Sequence, residues 1–378
     1  MKHHRPLNSL ARCSLVPSFF SSVIFTCLSS LAHAVELTDK FSFGGIIAAT
    51  YQCQYIDNSA IADNTCAGAM PIQPEVSIFP TPADEFYFKF GFAAGNGLNG
   101  DSPFIPAPWA ADLESDVLDL NGRNRDNLLV AWYKHKMQFN DYHSLGATFG
   151  IIDAADYLDD NAYASDEYTQ FMNATLTNAP NVFFPSYDAG GALEWKYKQW
   201  KIDAVVMNIG ENDDGYSYTF YGAQLCLTMK SALGVGHYRI MIDGADDKFL
   251  NVSGTQLETR NALMFNLDQE LGKTIGAFVR IGWQTDKAAV DYKAIYSGGI
   301  NINGSAWNRG NDNIGLGYAW LEGANLDVNS SQVAEAYYRM VLNEQLALTG
   351  DIQYMNDALR NQPDPKGFIV GMRMTAEF

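Results

Sequence analysis

Phe368-Ile369-Val370-Gly371-Met372-Arg373-Met374-Thr375-Ala376-Glu377-Phe378 closes the chain. Phe368, Val370, Met372, Met374, Ala376 and Phe378 are apolar and stand at every second position, with Ile369, Gly371, Arg373, Thr375 and Glu377 between them. Successive side chains of a strand point to opposite faces, so this segment reads as a strand with one apolar and one mostly polar face. The edge strand of a soluble sandwich would alternate in the same way, so the rest of the chain must discriminate.

The same code recurs upstream. Phe86, Phe88, Phe90 and Phe92 alternate with Glu85, Tyr87, Lys89 and Gly91. Leu193, Trp195 and Tyr197 alternate with Glu194, Lys196 and Lys198. Tyr221, Ala223, Leu225, Leu227 and Met229 alternate with Gly222, Gln224, Cys226, Thr228 and Lys230. Ile275, Ala277, Val279, Ile281 and Trp283 face away from Thr274, Phe278 and Arg280, and Ala336, Tyr338, Met340 and Leu342 oppose Glu335, Tyr337 and Arg339. The strand near Ile202 is less clean, since Val205 and Met207 fall on its nominally polar face.

The make-up of the two faces decides between sandwich and barrel. Aromatic residues gather near strand ends (Tyr197 and Trp200, Trp283, Tyr318 and Trp320), as a membrane-interface girdle requires, and the opposite face carries full charges suited to a wet interior. After the first thirty-odd residues no stretch is apolar for the ~18 positions of a spanning helix. In hydrocarbon every backbone N–H and C=O must be paired within the protein, so a sheet spans only by closing on itself. The expected fold is all-β, a transmembrane antiparallel β-barrel.

Tight turns are expected at Tyr197–Lys201, Glu270–Lys273 and Asn343–Gln345, and longer polar connections at Asp153–Glu167, Asp243–Thr259, Asn301–Asp312 and Glu322–Gln332. At roughly 20 to 22 residues per strand and connection, the chain holds about 16 strands, with 14 or 18 as alternatives.

Residues 1–34 read as a signal peptide. Lys2, Arg5 and Arg12 precede an apolar stretch from Leu15 to Leu31, and Ala32-His33-Ala34 has the small-x-small form of a cleavage site. Residues 35–378 would then form one barrel domain. The chain has 25 basic and 43 acidic residues, a net charge of −18. Such a surface speaks against nucleic-acid binding, which demands basic patches. Beyond the leader, Cys53 and Cys66 flank a polar insert and are candidates for a disulfide in an oxidising compartment, which leaves Cys226 as a lone thiol.

Enzymatic chemistry finds no footing. There is no G-x-S-x-G elbow, and the only histidines beyond the leader are His135, His143 and His237. Asp153, Asp156, Asp159 and Asp160 make an acidic stretch without calcium-loop spacing, so it reads as a solvated loop. No cofactor or metal is expected.

Several ordered stretches carry a resemblance. They are Asp166-Glu167-Tyr168-Thr169-Gln170-Phe171-Met172-Asn173, Gly276-Ala277-Phe278-Val279-Arg280-Ile281-Gly282-Trp283 and Ser297-Gly298-Gly299-Ile300. Gly304-Ser305-Ala306-Trp307-Asn308-Arg309-Gly310-Asn311-Asp312, Glu335-Ala336-Tyr337-Tyr338-Arg339 and Asp351-Ile352-Gln353-Tyr354 complete the set. From about Leu120 onward the chain resembles the carbohydrate-selective outer-membrane porins. Val35 to Asp119 diverges: the tryptophan- and glycine-rich opening of many members is absent, and the cysteine insert and a segment with Pro71, Pro74, Pro80 and Pro82 stand there instead.

The resemblance implies a 16-stranded barrel of the bacterial outer membrane and passive uptake of small sugars. In proteins of that class a terminal aromatic strand, here ending in Phe378, is what the barrel-assembly machinery recognises. Outer-membrane lipids and lipopolysaccharide are the expected surroundings, and homo-oligomerisation stays open.

The inferred inward faces supply the candidate pore-lining and substrate residues: Glu194, Lys196, Arg239, Arg280, Glu335, Tyr337, Arg339, Asp351, Gln353 and Arg373. Charged donors and acceptors could replace a sugar's hydration, and Tyr337 and Phe278 could stack on its C–H faces. Arg309 joins them through its motif, with its direction undecided. The competing reading is that these charges pair across strands and keep the interior wet. A general or weakly cation-preferring porin, and an adhesion or structural barrel, are the alternative functions. Arginine is expected to be costly at Leu225, Val279 or Met340 and mild at Gln224 or Thr228.

Overall fold

The structure, a computed structural model, describes residues 35–57 and 63–378; the signal-peptide reading of residues 1–34 lies outside them. Sixteen antiparallel strands close into a barrel, and a short leading strand, Val35–Thr38, pairs with the start of the first of them. They are β1 (Phe41–Asp57), β2 (Cys66–Thr81), β3 (Asp84–Phe90, continued by Phe92–Ala94), β4 (Leu128–Asn140), β5 (His143–Ile152) and β6 (Asp188–Tyr197). Next come β7 (Trp200–Ile209), β8 (Tyr218–Ser231), β9 (Gly234–Leu250), β10 (Leu257–Leu271) and β11 (Ile275–Gln284). The last are β12 (Tyr292–Asn303), β13 (Asn313–Gly323), β14 (Val328–Val341), β15 (Leu346–Leu359) and β16 (Lys366–Glu377).

Each strand pairs with its sequence neighbour, and β16 pairs with β1 over twelve residues, Lys366 opposite Asp57 through Glu377 opposite Ile46. That pairing leaves neither chain end as an open edge, which a sheet in hydrocarbon requires. Phe378 completes the seam. It exchanges backbone hydrogen bonds with Gly45 at 2.9 and 3.0 Å, and its ring lies 5.7 Å from Phe43. A side chain at position 45 would meet the Gln73 carbonyl at 2.3 Å, so only glycine fits this crossing.

The inward and outward faces follow the alternation. Leu225 is 37% exposed toward the lipid side and its neighbour Gln224 only 1%. Outward aromatics group at both rims, Trp283, Tyr296 and Trp320 near the long loops and Tyr142, Tyr197 and Trp200 near the tight turns. The proline-rich segment forms a strand, with Pro71, Pro74 and Pro80 inside β2. Prolines cannot donate to a ladder, and here β2 borders the short, interrupted β3.

Three of the four expected long connections differ. Asp243–Thr259 and Glu322–Gln332 are mostly strand, with loops of only residues 251–256 and 324–327, because their polar residues sit on inward faces. Asn301–Asp312 belongs to the tight-turn rim, where a short 3-10 helix, Gly304–Trp307, fills the connection between β12 and β13. Asp153–Glu167 is a loop but extends to residue 187, and a second long loop spans residues 95–127. Cys53 and Cys66 face each other across β1 and β2 and are joined by a disulfide, while Cys226 is buried and free.

Candidate functional site: the lumen and its two inward loops

Both long loops fold into the barrel. They run side by side, joined by Ala110 N–H to Met172 C=O at 2.9 Å and Ala174 N–H to Ala107 C=O at 3.1 Å. A loop taken out of water must find partners for its backbone groups. The inner wall of β8 to β16 supplies many of them, and Gln52 and Gln54 of β1 donate to the Pro108 and Asp101 carbonyls of the first loop.

The Glu335 carboxylate accepts the consecutive amides of Met172 and Asn173, at 2.6 and 3.0 Å. Arg373 donates to the carbonyls of Glu167 and Gln170 at 2.6 and 2.9 Å. Gln353 donates to Pro108 C=O at 2.9 Å and accepts from the Asn173 side chain at 3.0 Å, and its amide also donates to Asp351 at 3.1 Å. Arg280 pairs with Asp159 at 2.8 Å and donates to Leu176 C=O at 3.0 Å. Arg239 bridges Asp160 of the loop and Asp268 of β10, at 2.8 and 2.6 Å.

Apolar contacts reinforce these clamps. The Phe171 ring rests 5.6 Å from Phe278 and 5.1 Å from Tyr337. Leu158, Ala179 and Val182 of the loop bury with Val205, Met207, Phe220, Met241 and Met264 of the wall. Two inward glycines make the space: a side chain at Gly276 would meet the Tyr163 ring at 2.1 Å, and one at Gly317 the Phe171 ring at 2.9 Å.

The structure therefore divides the expected pore-lining residues. Arg239, Phe278, Arg280, Glu335, Tyr337, Asp351, Gln353 and Arg373 all lie on the inward face, and all are buried beneath the loops. Arg280, Gln353 and Arg373 have no exposed surface, so in this conformation no solute reaches them. Glu194 pairs with Lys134 on the inner wall, and Lys196 is exposed near the tight-turn rim. Arg339 lies near Glu377 at the same rim, 3.6 Å away. Arg309 does not fold inward. It grips Asp312 at 2.5 Å within the turn, and that hydrogen bond first, with Tyr338 behind it, holds the Asp312 carboxyl well below its usual range.

What remains open is a cavity of about 1010 Å³ between the loops and the walls of β1 to β3. Gln73, Glu75 and Lys89 project into it from the strands, Asp112 from the first loop, and Asp153 and Asp156 from the second. Phe183, Phe184 and Tyr187 add aromatic surface. Asp112 accepts from Gln73 and from the Tyr187 hydroxyl, each at 2.7 Å. Burial, then the neighbouring Asp156 charge, pushes Asp153 up to about 7. Burial, then Asp166, pushes Glu167 up to about 8, and burial also raises Asp112.

None of these cavity residues stood among the candidates. Lys89 stands on an inward face of the alternation, Asp153 and Asp156 belong to the stretch that reads as a solvated loop, and Asp112 carries no local signal at all. Among the described residues no group of three or more His, Cys, Asp or Glu is placed to hold a metal ion.

A closed sixteen-stranded barrel with a lipid-facing exterior and a lumen narrowed by inward loops is an outer-membrane porin. The family model described as carbohydrate-selective porin, OprB family, matches residues 242–378. The C-terminal part of the chain, from β9 onward, thus carries that family's sequence pattern. An uncharacterized protein of Aquifex aeolicus (strain VF5) is 30% identical over 301 residues, covering 75% of this chain and 80% of that protein. In fold, a high-pH structure of Pseudomonas putida OprB superposes with a TM-score of 0.71 at 13% identity, covering 90% of this chain and 94% of the other. A low-pH structure of the same protein gives 0.54 at 13% identity, with 90% and 93% covered.

Proposed function

We propose that the protein lets small neutral hydrophilic solutes, carbohydrates foremost, diffuse passively across the outer membrane. The cavity is the observation that carries this reading. Its volume of about 1010 Å³ lies at the upper end of the ~300–1,000 Å³ typical of small-ligand pockets, which leaves room for a hydrated sugar. Its surface mixes carboxylates, amides and an ammonium, which can exchange hydrogen bonds with hydroxyls, and rings that can cover C–H faces. The match of residues 242–378 to a family described as carbohydrate-selective points the same way.

In this reading the leader is removed after Ala34, the apolar belt sits among outer-membrane lipids and lipopolysaccharide, and Phe378 is presented to the assembly machinery. Swelling of liposomes holding the purified barrel tests the transport reading. Hexoses are expected to enter readily and larger oligosaccharides progressively more slowly. Liposomes that swell no faster than protein-free ones with any sugar would overturn it.

A further inference from the structure

The residues that border the cavity differ sharply in sign. Glu75 comes from β2, Asp112 from the first inward loop, and Asp153 and Asp156 from the second, so carboxylates approach from three separate elements. Lys89 of β3 is the only lysine or arginine among the described residues that line the space. The rings of Phe183 and Phe184 form a low-dielectric part of the lining, and a cavity partly walled in this way focuses the field of its charges. Deeper in the wall, Arg239, Arg280 and Arg373 are engaged by loop carboxylates and carbonyls and do not border the cavity. The arginines that would otherwise balance the lumen are thus spent on holding the loops.

We propose that the cavity is a charge filter, with Lys89 and the surrounding Glu75, Asp112, Asp153 and Asp156 as the residues that set its specificity. It passes neutral sugars and small cations and turns back sugar phosphates and sugar acids. The filter rests on the channel reading above and adds the charge class of the solute. An anion entering the passage meets carboxylates from the wall and from both loops. Lys89 offsets part of that field, so a neutral sugar still finds a donor for its hydroxyls and a cation is not trapped.

Two measurements test it. In planar bilayers under a potassium chloride gradient, the wild-type channel is expected to favour potassium over chloride by about threefold or more. Lys89→Gln should raise that ratio, and Asp153→Asn with Asp156→Asn should lower it. The second measurement needs no variant: liposomes with wild-type protein should admit a neutral hexose about tenfold faster than its 6-phosphate. A neutral disaccharide, bulkier than the hexose phosphate, should also outpace it. A conducting channel that favours chloride, or a hexose phosphate that enters as fast as the disaccharide, would overturn the filter and leave the channel standing. Absence of any conductance would overturn both.

Discussion

The inner wall of β8 to β16 and the inner wall of β1 to β3 carry the same alternation and similar polar residues, yet they do different things. On the first wall every buried charge described above has a partner in an inward loop or a neighbouring strand: Arg280 with Asp159, Glu335 with the Met172 and Asn173 amides, Arg373 with loop carbonyls. The second wall also touches a loop, through Gln73 to Asp112, but there Gln73, Glu75 and Lys89 border open space. A polar inward face is therefore not enough to mark a solute path. In a barrel whose loops fold inward, the inward residues divide into those that anchor loops and those that meet solute.

Exchanging single residues between the two walls should break this contrast if it is wrong. Arg280→Ala strips Asp159 of its charge partner in a site sealed from water, and losing one member of a buried pair costs about 3–5 kcal/mol. The expected result is a less stable barrel, or a released loop with larger and noisier conductance. Lys89→Ala should leave stability nearly unchanged and shift ion selectivity alone. Unfolding in lipid and single-channel recording check both, and similar behaviour of the two variants would erase the distinction.

A smaller effect separates the lipid face from the lumen. Leu225→Arg should cost about 2–4 kcal/mol near the bilayer midplane. Thr228→Arg, inward and close to the tight-turn rim, should cost little. Gln224 leaves the tolerant set where the alternation had placed it, because its carboxamide accepts from Asp159 N–H and donates to Asp160, both at 3.0 Å. Arginine at position 224 would displace the loop, so its cost should fall between the other two. Equal costs at 224 and 228 would mean that the loop yields freely.

The barrel was legible because lipid and water impose a period of two on every strand, from Phe86 to Phe378. The inward loops were not, because their residues follow no period: Trp109, Leu113, Phe171 and Leu176 are buried by the wall opposite, which a local pattern cannot reveal. Signals of that wall were nevertheless present. Val205 and Met207 of β7, which spoil the alternation near Ile202, bury in one apolar cluster with Leu158 and Val182 of the second loop. The glycines at 276 and 317 leave room for Tyr163 and Phe171. The Asp166–Asn173 stretch that carries the family resemblance lies in the second loop, and the Glu335 and Arg280 stretches hold the wall residues that bind that loop. The shared residues thus describe how the loop is held, and sugar contact has to be sought beside them.

The finest test uses pH to sharpen the contrast without mutation. Asp153 lies against Asp156 in its own loop, Lys89 from β3 and Asp112 from the first loop, and burial pushes its carboxyl up to about 7. Glu167, raised to about 8, faces Asp166, Asp112 and Lys89. A carboxyl with a raised pKa is neutral below that value and anionic above it, so the lining gains negative charge as pH climbs from about 6 to 9. Preference for potassium over chloride should therefore rise across that window, by about twofold given the partial offset from Lys89. The residues of β8 to β16 that anchor the loops do not border the cavity, so the conductance of sugar-free channels should change far less than their selectivity. In Asp153→Asn the rise should shrink and its midpoint should move toward that of Glu167. A wild-type selectivity that stays flat between pH 6 and 9 would place Asp153 and Glu167 outside the path that ions take.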